Sequence, residues 1–276
     1  MESYTQSGKD VEHKLTFTMI SKHMAEKNVN YDYLSGIYDR NGVYSNYAYL
    51  ISDQCPWHII YEDEETVNVF DGPMPVQVED CLQFISERNP RLTVTTYPTN
   101  RKKFPTVAIR EAVVNAAMHF DSNLERDIEI TVSKKVMRIE SPGGSYPSNK
   151  YGTFTPRNYE LSKLFQVLKL AKLKFRGISA ITDSYAHSGK KPAFKNADGC
   201  FIASLPSVEP LDNESGRKLV CEFLRVHHSA LLVSITNVLF ISAHTLKKIL
   251  TLMIANGEIF TMGVGQHRIV FLMDPK

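Results

Sequence analysis

One stretch of the sequence, Phe104-Pro-Thr-Val-Ala-Ile-Arg-Glu-Ala-Val-Val-Asn-Ala-Ala-Met-His119, is predicted to form the central helix of the protein. Pro105 or Thr106 suits the first helical positions, and no glycine or proline follows within the stretch. Apolar residues recur at helical spacing and form one stripe: Ile109, Val113, Ala116 and Ala117. We therefore expect this face of the helix to pack against a sheet.

A second face of the same helix carries polar side chains. Glu111, Asn115 and His119 are four residues apart, so they share one side of the helix, away from the apolar stripe. A solvated face is one interpretation of such a set. The other interpretation is that an acid, an amide and an imidazole line a cavity.

The segment after the helix is predicted to be a β-hairpin with one buried face. Residues 127–132 alternate between polar and apolar side chains, and Ser133-Lys134-Lys135 can form a turn. Met137 and Ile139 then resume the apolar period of two. The hairpin ends in the glycine turn Ser141-Pro142-Gly143-Gly144.

This order of helix, hairpin and glycine turn, with Glu111 and Asn115 four residues apart, resembles the Bergerat ATP-binding fold of gyrases, histidine kinases and mismatch-repair ATPases. The resemblance implies that Asn115 contacts a magnesium ion bridging nucleotide phosphates, and that Glu111 orients a water as general base. His119 would face the same cavity. The glycines that would let the backbone approach the nucleotide closely are Gly143, Gly144 and Gly177.

More narrowly, the chain is similar to the family of transcriptional regulators related to RecG helicase. The motifs that carry the resemblance are Arg110-Glu-Ala-Val-Val-Asn-Ala116 with His119 and Asp121, then Ser141-Pro-Gly-Gly144, then Arg157-Asn158. Members of this family combine a Schlafen-type AlbA domain, a degenerate ATPase module and usually a winged helix. The resemblance covers most of the chain, but the longer amino-terminal portion of the AlbA domain is not found.

The chain also departs from these patterns. The family commonly has Arg where this chain has Phe120, and a Gly-x-Gly-Ile turn where this chain has Arg176-Gly177-Ile178. A typical Bergerat ATPase places an Asp before its first glycine turn to bind the adenine amine, and Ser141-Pro142 occupies that neighbourhood here. These departures argue against ATP hydrolysis. They leave three alternatives for the module: a scaffold that has lost the activity, ligand sensing without turnover, and true hydrolysis.

The last portion of the chain is predicted to be a winged helix-turn-helix. Helices are expected at Arg217–Val226, Leu232–Leu239 and Ala243–Ala255, with Ser242 as the cap of the third. A hairpin around Gly263-Val-Gly265 follows. This order resembles the helix-turn-helix modules of bacterial regulators, whose third helix lies in the DNA major groove.

The candidate DNA-binding residues lie on the third helix and the hairpin: Ser242, His244, Thr245, Lys247, Lys248, His267 and Arg268. The early helix positions would contact base edges, and the cations would contact phosphates. From Glu214 onward seven Lys and Arg oppose four acids, whereas the net charge of the whole chain is only +2, so binding must be local. Few cations make a weak electrostatic footprint, so a winged helix used for dimerisation or protein contact is the alternative. A homodimer is the expected DNA-binding unit.

The composition is typical of a globular protein of the cytoplasm. The chain has 276 residues, of which 43% are hydrophobic and 22% charged. Its four cysteines are far apart and form no C-x-x-C pair, so neither a zinc site nor a disulfide framework is expected. Residues 1–7 are polar, which argues against a signal peptide, and the apolar run 230–241 is too short for a membrane span. No membrane partner is expected.

The predicted fold class is α+β, in three modules. Residues 1–98 would form a small α/β front module that is partly AlbA-like, and residues 99–206 a Bergerat-like (GHKL-type) α/β sandwich. Residues 207–276 would contain a linker and the winged helix-turn-helix. Within the front module we expect a short helix around 31–38 and a strand over 43–51.

The sequence therefore predicts a DNA-binding transcriptional regulator with a degenerate ATPase-like module, for which ATP with magnesium is the candidate ligand. Two alternatives remain open. One is a weak ATP-binding or ATP-hydrolysing protein of the helicase-associated type, and the other is a non-catalytic interaction scaffold. No Gly-x-x-x-x-Gly-Lys-[Ser/Thr] loop is present, so a helicase motor is not expected.

Overall fold

The computed structural model describes residues 14–94, 97–144, 156–171, 177–186, 188, 190–208, 213–239, 241 and 243–273. The architecture is α+β, which confirms the predicted fold class at this coarse level. The helices are α1 Thr18–Glu26, α2 Asn46–Ile51, α3 Met74–Arg88, α4 Thr106–His119, α5 Tyr159–Val167, α6 Gly177–Asp183, α7 Asn213–His227, α8 Leu232–Leu239 and α9 Ala243–Ala255. The strands are β1 Ile59–Glu62, β2 Val67–Phe70, β3 Arg91–Val94, β4 Tyr97–Lys102, β5 Ile128–Val132, β6 Val136–Pro142, β7 Ala193–Ala197, β8 Cys200–Pro206, β9 Ser229–Leu231, β10 Ile259–Met262 and β11 Ile269–Leu272.

The chain divides into two compact units. Unit 1 consists of residues 1–88, 106–184 and 191–207, and unit 2 of residues 89–105, 185–190 and 208–276. The three module boundaries drawn from the sequence stay a prediction. The boundary near residue 98 does not separate two sheets, however, because β1 and β2 lie in the same sheet as β5 to β8.

Unit 1 is built on a mixed sheet with the strand order β2-β1-β5-β6-β8-β7. β1 runs parallel to β5, and the remaining neighbours are antiparallel. The hairpin expected after the central helix is confirmed: β5 pairs with β6, and Ile128 and Ile130 are buried while Glu129 between them is exposed. The period of two in the sequence therefore marks the face of β5 that joins the core.

The central helix α4 is confirmed and lies deep in unit 1. It packs against β6 and β8 of the sheet and against α3, α5 and α6. Eight of its residues are buried: Ala108, Ile109, Ala112, Val113, Val114, Ala116, Ala117 and Met118. Small side chains at 108, 112, 116 and 117 allow this close packing from several directions. Glu111, Asn115 and His119 are only half-buried, so the polar face identified in the sequence is a separate face of the helix.

Two expectations for the front module are wrong. The aromatic and apolar residues 46–51 form α2 and not a strand, because the Ser45 hydroxyl accepts a hydrogen bond from the Ala48 amide at 3.2 Å and starts a helix. Residues 31–38 form turns and not a helix. There Asp32 Oδ1 accepts the Leu34 amide at 3.2 Å, and Gly36 has a φ of +93°. These local side-chain and glycine effects outweigh the helical pattern.

The carboxyl-terminal part of unit 2 is organised around its own apolar core. The core is formed by α7, α8, α9 and the strands that follow: Leu219, Val220, Phe223, Leu224, Ile235, Leu239, Ile241, Leu246, Ile249, Leu250, Met253, Ile259 and Val270. The strands form an antiparallel sheet with the order β10-β11-β9. The short strand β9, between α7 and α8, was not expected from the sequence, because its residues 229–231 continue into an apolar run that lacks a turn signal.

Candidate functional site

The carboxyl-terminal end of α4 is closed by side chains from two later segments. The Ser141 hydroxyl, at the end of β6, donates to the Ala116 carbonyl at 2.8 Å, and this hydroxyl is buried. Asn158, immediately before α5, donates its side-chain amide to the carbonyls of Ala117 at 3.1 Å and Phe120 at 2.9 Å. The Asn158 main-chain amide donates to the Met118 carbonyl at 2.9 Å. The last carbonyls of a buried helix, which have no partner inside the helix, are satisfied in this way.

An ion pair lies beside this helix end. The guanidinium of Arg157 contacts the Asp121 carboxylate, with side-chain exposures of 23% and 16%, and also donates to the Gly143 carbonyl at 2.9 Å. Asp121 in turn accepts hydrogen bonds from the amide and side chain of Asn123. The glycine turn after β6 and the segment before α5 are therefore held together by a charge-assisted pair of hydrogen bonds.

Gly143 is required by this packing. Its φ is +108°, a backbone conformation that residues other than glycine rarely adopt. A Cβ atom at this position would also lie 2.5 Å from the Asp121 Cβ. The same Cβ would lie 3.1 Å from a terminal nitrogen of Arg157. At Gly144 the nearest side-chain atom, Asn196 Oδ1, would be 3.5 Å away, which is an ordinary contact. The space at Gly143 is thus filled by the protein's own ion pair.

The polar face of α4 lies next to Gly177, another of the glycines that were expected to approach a nucleotide. A Cβ atom at Gly177, the first residue of α6, would lie 3.0 Å from the Asn115 side-chain nitrogen. Asn115 and Gly177 are therefore neighbours. Arg176, which precedes this glycine, lies outside the described residues.

The cavity that Asn115 lines is small. Its volume is about 20 Å³, which is room for about one water molecule. Apart from Asn115 and Ser141 its lining is apolar: Ala112, Ala116, Ile139, Ile178, Ile181, Phe194, Phe201 and Ala203. This cavity does not fit a nucleotide, and the Ser141 hydroxyl beside it is already bonded to Ala116.

His119, the third member of the polar face, lies next to the ion pair. Burial lowers the pKa of the His119 imidazole below 6.5, and the positive charge of Arg157 lowers it further. The neutral ring is therefore the stable form of His119 in the folded protein at neutral pH. Asp121, Arg157 and Asn158 belong to the sequence motifs, but no ligand-binding role was expected of them. The structure gives each of them a contact at the end of α4.

The expected DNA-binding residues of α9 divide between two faces of that helix. His244, Lys247 and Lys248 are exposed. Thr245 is 3% exposed and shares a buried stripe with Ile249 and Met253, four and eight residues further on. Its side chain is therefore directed into the core, and the expectation that it contributes to base contacts is corrected. Ser242 lies outside the described residues.

The hairpin between β10 and β11 carries the remaining candidate residues, His267 and Arg268. His267 is exposed, whereas Arg268 is half-buried and its Nε atom has no hydrogen-bond partner among the described residues. The turn needs glycine at 263, because its φ is +85° and a Cβ atom would lie 2.7 Å from the His267 carbonyl oxygen. The hairpin tip is thus compact and presents one exposed histidine and one half-buried arginine.

The described residues contain neither a cluster of metal ligands nor a helix that could span a membrane. Within those ranges, no three His, Cys, Asp or Glu side chains are grouped as ligands of a metal ion. In the same part of the chain, no helix has both the length and the apolar character needed to cross a bilayer.

Comparisons with known proteins give similarity of fold only. No protein family matches the sequence, and no curated protein is significantly similar to it. Among solved structures, the chain is similar to the DIP2311 protein from Corynebacterium diphtheriae, a structural-genomics target, with a TM-score of 0.54 and 13% sequence identity. The match covers 94% of this chain and 68% of that one. At this identity the comparison concerns the architecture alone.

Gly143→Ala is expected to lower the free energy of unfolding by about 2 to 5 kcal/mol, because it adds backbone strain and a clash with the Asp121–Arg157 pair. The matched control is Gly42→Ala. Gly42 also has a positive φ, of +77°, but nothing lies within 4 Å of the added Cβ, so only strain of about 1 kcal/mol is expected. Urea unfolding of both variants measures the difference. Equal losses would show that the space at Gly143 is not filled as described.

His119→Gln is expected to weaken the pH dependence of stability. Because the folded pKa lies below the unfolded value of 6.5, the unfolded state binds the extra proton, and stability is lost as pH falls through 6.5 towards the folded pKa. In His119→Gln this decrease in stability at low pH should be absent. In the control variant His267→Gln, which changes an exposed histidine, the decrease should remain. Urea unfolding at about pH 5 and about pH 7.5 tests this. A His119→Gln protein with the full wild-type pH dependence would contradict the explanation.

Proposed function

We propose that the protein is a DNA-binding transcriptional regulator. In this proposal residues 213–273 form a winged helix-turn-helix that binds duplex DNA. Unit 1 is a degenerate Bergerat-type (GHKL-type) module that serves as a scaffold. The protein acts in the cytoplasm, a reducing compartment in which cysteines such as the buried Cys55, Cys81 and Cys200 remain free thiols.

The observation that carries the proposal is the order of elements in unit 2. A helix (α7) is followed by a short strand (β9), two helices (α8 and α9) and a hairpin (β10 and β11), and β9 joins the hairpin in one sheet with the order β10-β11-β9. Winged helix-turn-helix modules have this order. The unexpected strand β9 supports the assignment, because it is the strand that links the first helix to the wing sheet in such modules.

The charge on α9 supports DNA as the partner. Lys247 and Lys248 are exposed on the helix that would enter the major groove, and α9 contains no acidic residue that would repel a phosphate. His244 is exposed in the first turn, where helix-turn-helix proteins contact base edges. His267 is exposed at the hairpin that corresponds to the wing.

The scaffold role of unit 1 is supported by the bonds of its motif residues. Ser141, which lies in the neighbourhood where a Bergerat ATPase has its adenine-binding Asp, donates to the α4 carbonyl of Ala116. Gly143 packs against an ion pair, and Asn158 closes the helix end. Each of these residues contributes to the internal structure of unit 1, so retention of the motif does not require a bound nucleotide.

Nucleotide binding is the second candidate function. It is favoured by the half-buried polar face of Glu111, Asn115 and His119 and by the contact between Asn115 and Gly177. The small apolar cavity beside Asn115 opposes it. An interaction scaffold without DNA binding is the third candidate, and the DNA experiment distinguishes it from the proposal.

Lys247→Ala and Lys248→Ala are each expected to flatten the salt dependence of duplex DNA binding by about one unit in the slope of log K against log salt, because each lost phosphate contact releases one counterion fewer. Fluorescence anisotropy of the full chain on random duplex DNA at several salt concentrations measures the slope. Lys22→Ala is the matched control, since Lys22 is 79% exposed on α1 of unit 1, and it should leave the slope unchanged.

His244→Ala tests sequence preference with the duplex that the wild-type chain selects from a random pool. The difference in binding free energy between this duplex and random DNA is expected to decrease by about 1 to 3 kcal/mol, while the salt dependence of binding stays nearly unchanged. If the wild-type chain binds no DNA even at low salt, the module is a protein-contact module and the regulator proposal fails.

Titration calorimetry with ATP is expected to show at most weak, magnesium-dependent binding, because the cavity beside Asn115 has room for one water and the expected adenine-binding Asp is absent. Glu111→Gln should not change phosphate release above the background. Glu129→Gln, at an exposed acid on β5, is the matched control. Steady phosphate release that Glu111→Gln abolishes and Glu129→Gln retains would establish an ATPase and overturn the scaffold role.

A further inference from the structure

The small sheet of unit 2 has one buried and one outward face. Side chains alternate between the faces of a strand, and directly paired residues share a face. Ile259 and Val270 are buried against the helices and so mark the inner face of the sheet. The residues that alternate with them along each strand, and their paired partners, lie on the opposite face. We call these residues the outer sheet face: Ser229, Leu231, Phe260, Met262, Ile269 and Phe271.

The outer sheet face is apolar and exposed. Met262 is 59% exposed, Phe260 43% and Leu231 39%. Phe260 lies opposite Phe271, and their rings stack with centroids 4.8 Å apart and planes within 6° of parallel. Large apolar side chains that stay exposed to solvent and form one contiguous patch indicate an interaction surface.

The chemistry of this face excludes a phosphate backbone as its partner. None of its residues is charged, and five of the six are apolar. DNA binding depends on cations that neutralise phosphates, which this face lacks. The partner must therefore offer an apolar surface of its own.

We propose that the outer sheet face binds the same face of a second copy of this chain, so that two sheets pack face to face. An isologous contact places each surface against its own copy, and a charged patch would repel itself there. The outer sheet face has no charge and meets this condition. Aromatic and aliphatic side chains on both copies would interdigitate as they do between the layers of a β-sandwich.

The size of the face indicates how strong the dimer is. From the exposed fractions, the apolar area available is on the order of 300 Å² per copy. Two copies would bury roughly 600 Å² of apolar side chain, with Val264 and Met273 at the rim adding to it, against about 1,200 Å² or more for a stable complex. The structure therefore assigns a dimer that depends on concentration and not an obligate one. Adjacent half-sites on DNA would raise the effective concentration of the second copy.

Analytical ultracentrifugation of the full chain without DNA tests the proposal independently of the DNA-binding function. The wild-type protein is expected to shift from monomer to dimer over about 1 to 100 μM. Met262→Lys should raise the dimer dissociation constant by about tenfold or more, because it places like charges in the isologous contact. Val67→Lys is the matched control, a strand residue of unit 1 that is 65% exposed, and it should dimerise as the wild type does.

A second variant covers the case in which Met262→Lys does not fold. Phe260→Ser removes one stacked ring without adding charge and should also weaken the dimer, with circular dichroism used to confirm the native fold. A wild-type chain that stays monomeric to about 100 μM, or a folded Met262→Lys protein that dimerises normally, would overturn the proposal. Loss of DNA binding with the dimer intact would overturn the regulator function alone.

Discussion

The carbonyl groups at the buried end of α4 are the constraint on which the structure of unit 1 depends. A buried acceptor without a partner costs about 1 to 3 kcal/mol, and α4 ends inside the unit with several such groups. Ser141 reaches this end from β6, and Asn158 reaches it from the start of α5. Because both segments donate hydrogen bonds to the same helix end, the sheet and α5 are fixed relative to α4 by hydrogen bonds as well as by apolar packing.

The same helix also fixes the far end of α5. Arg110 in α4 donates to the carbonyls of Lys169 and Leu170, which follow α5, so that α4 and α5 are tied to each other at both ends of α5. Lys169 has a φ of +59°, a left-handed conformation that ends the helix and turns these carbonyls towards the guanidinium. The motif residues Arg110, Ser141 and Asn158 are thus explained by the hydrogen-bonding needs of two helices, without a ligand.

Much of the fold follows from local patterns in the sequence, and the differences have local causes. The helix α4 and the hairpin of β5 and β6 were predicted because their apolar periods are long and uninterrupted. The helix α2 was missed because its aromatic residues favour a strand, whereas one hydrogen bond from the Ala48 amide to the Ser45 hydroxyl starts a helix. For the candidate site, the sequence placed Glu111, Asn115 and His119 on one face. It could not show that Thr245 is buried, because that depends on which side of α9 meets the core.

The two units use their polar and apolar groups differently. A side chain already bonded within the fold must break that bond before it can contact a ligand, whereas an exposed side chain needs only to lose water. In unit 1 the motif side chains Ser141, Arg157 and Asn158 bond to main-chain carbonyls of the unit itself. In unit 2 Lys247 and the outer sheet face are exposed. Changes to the motif of unit 1 should therefore reduce the stability of the fold first, and changes to the exposed surface of unit 2 should first reduce the proposed binding of DNA or of a second copy.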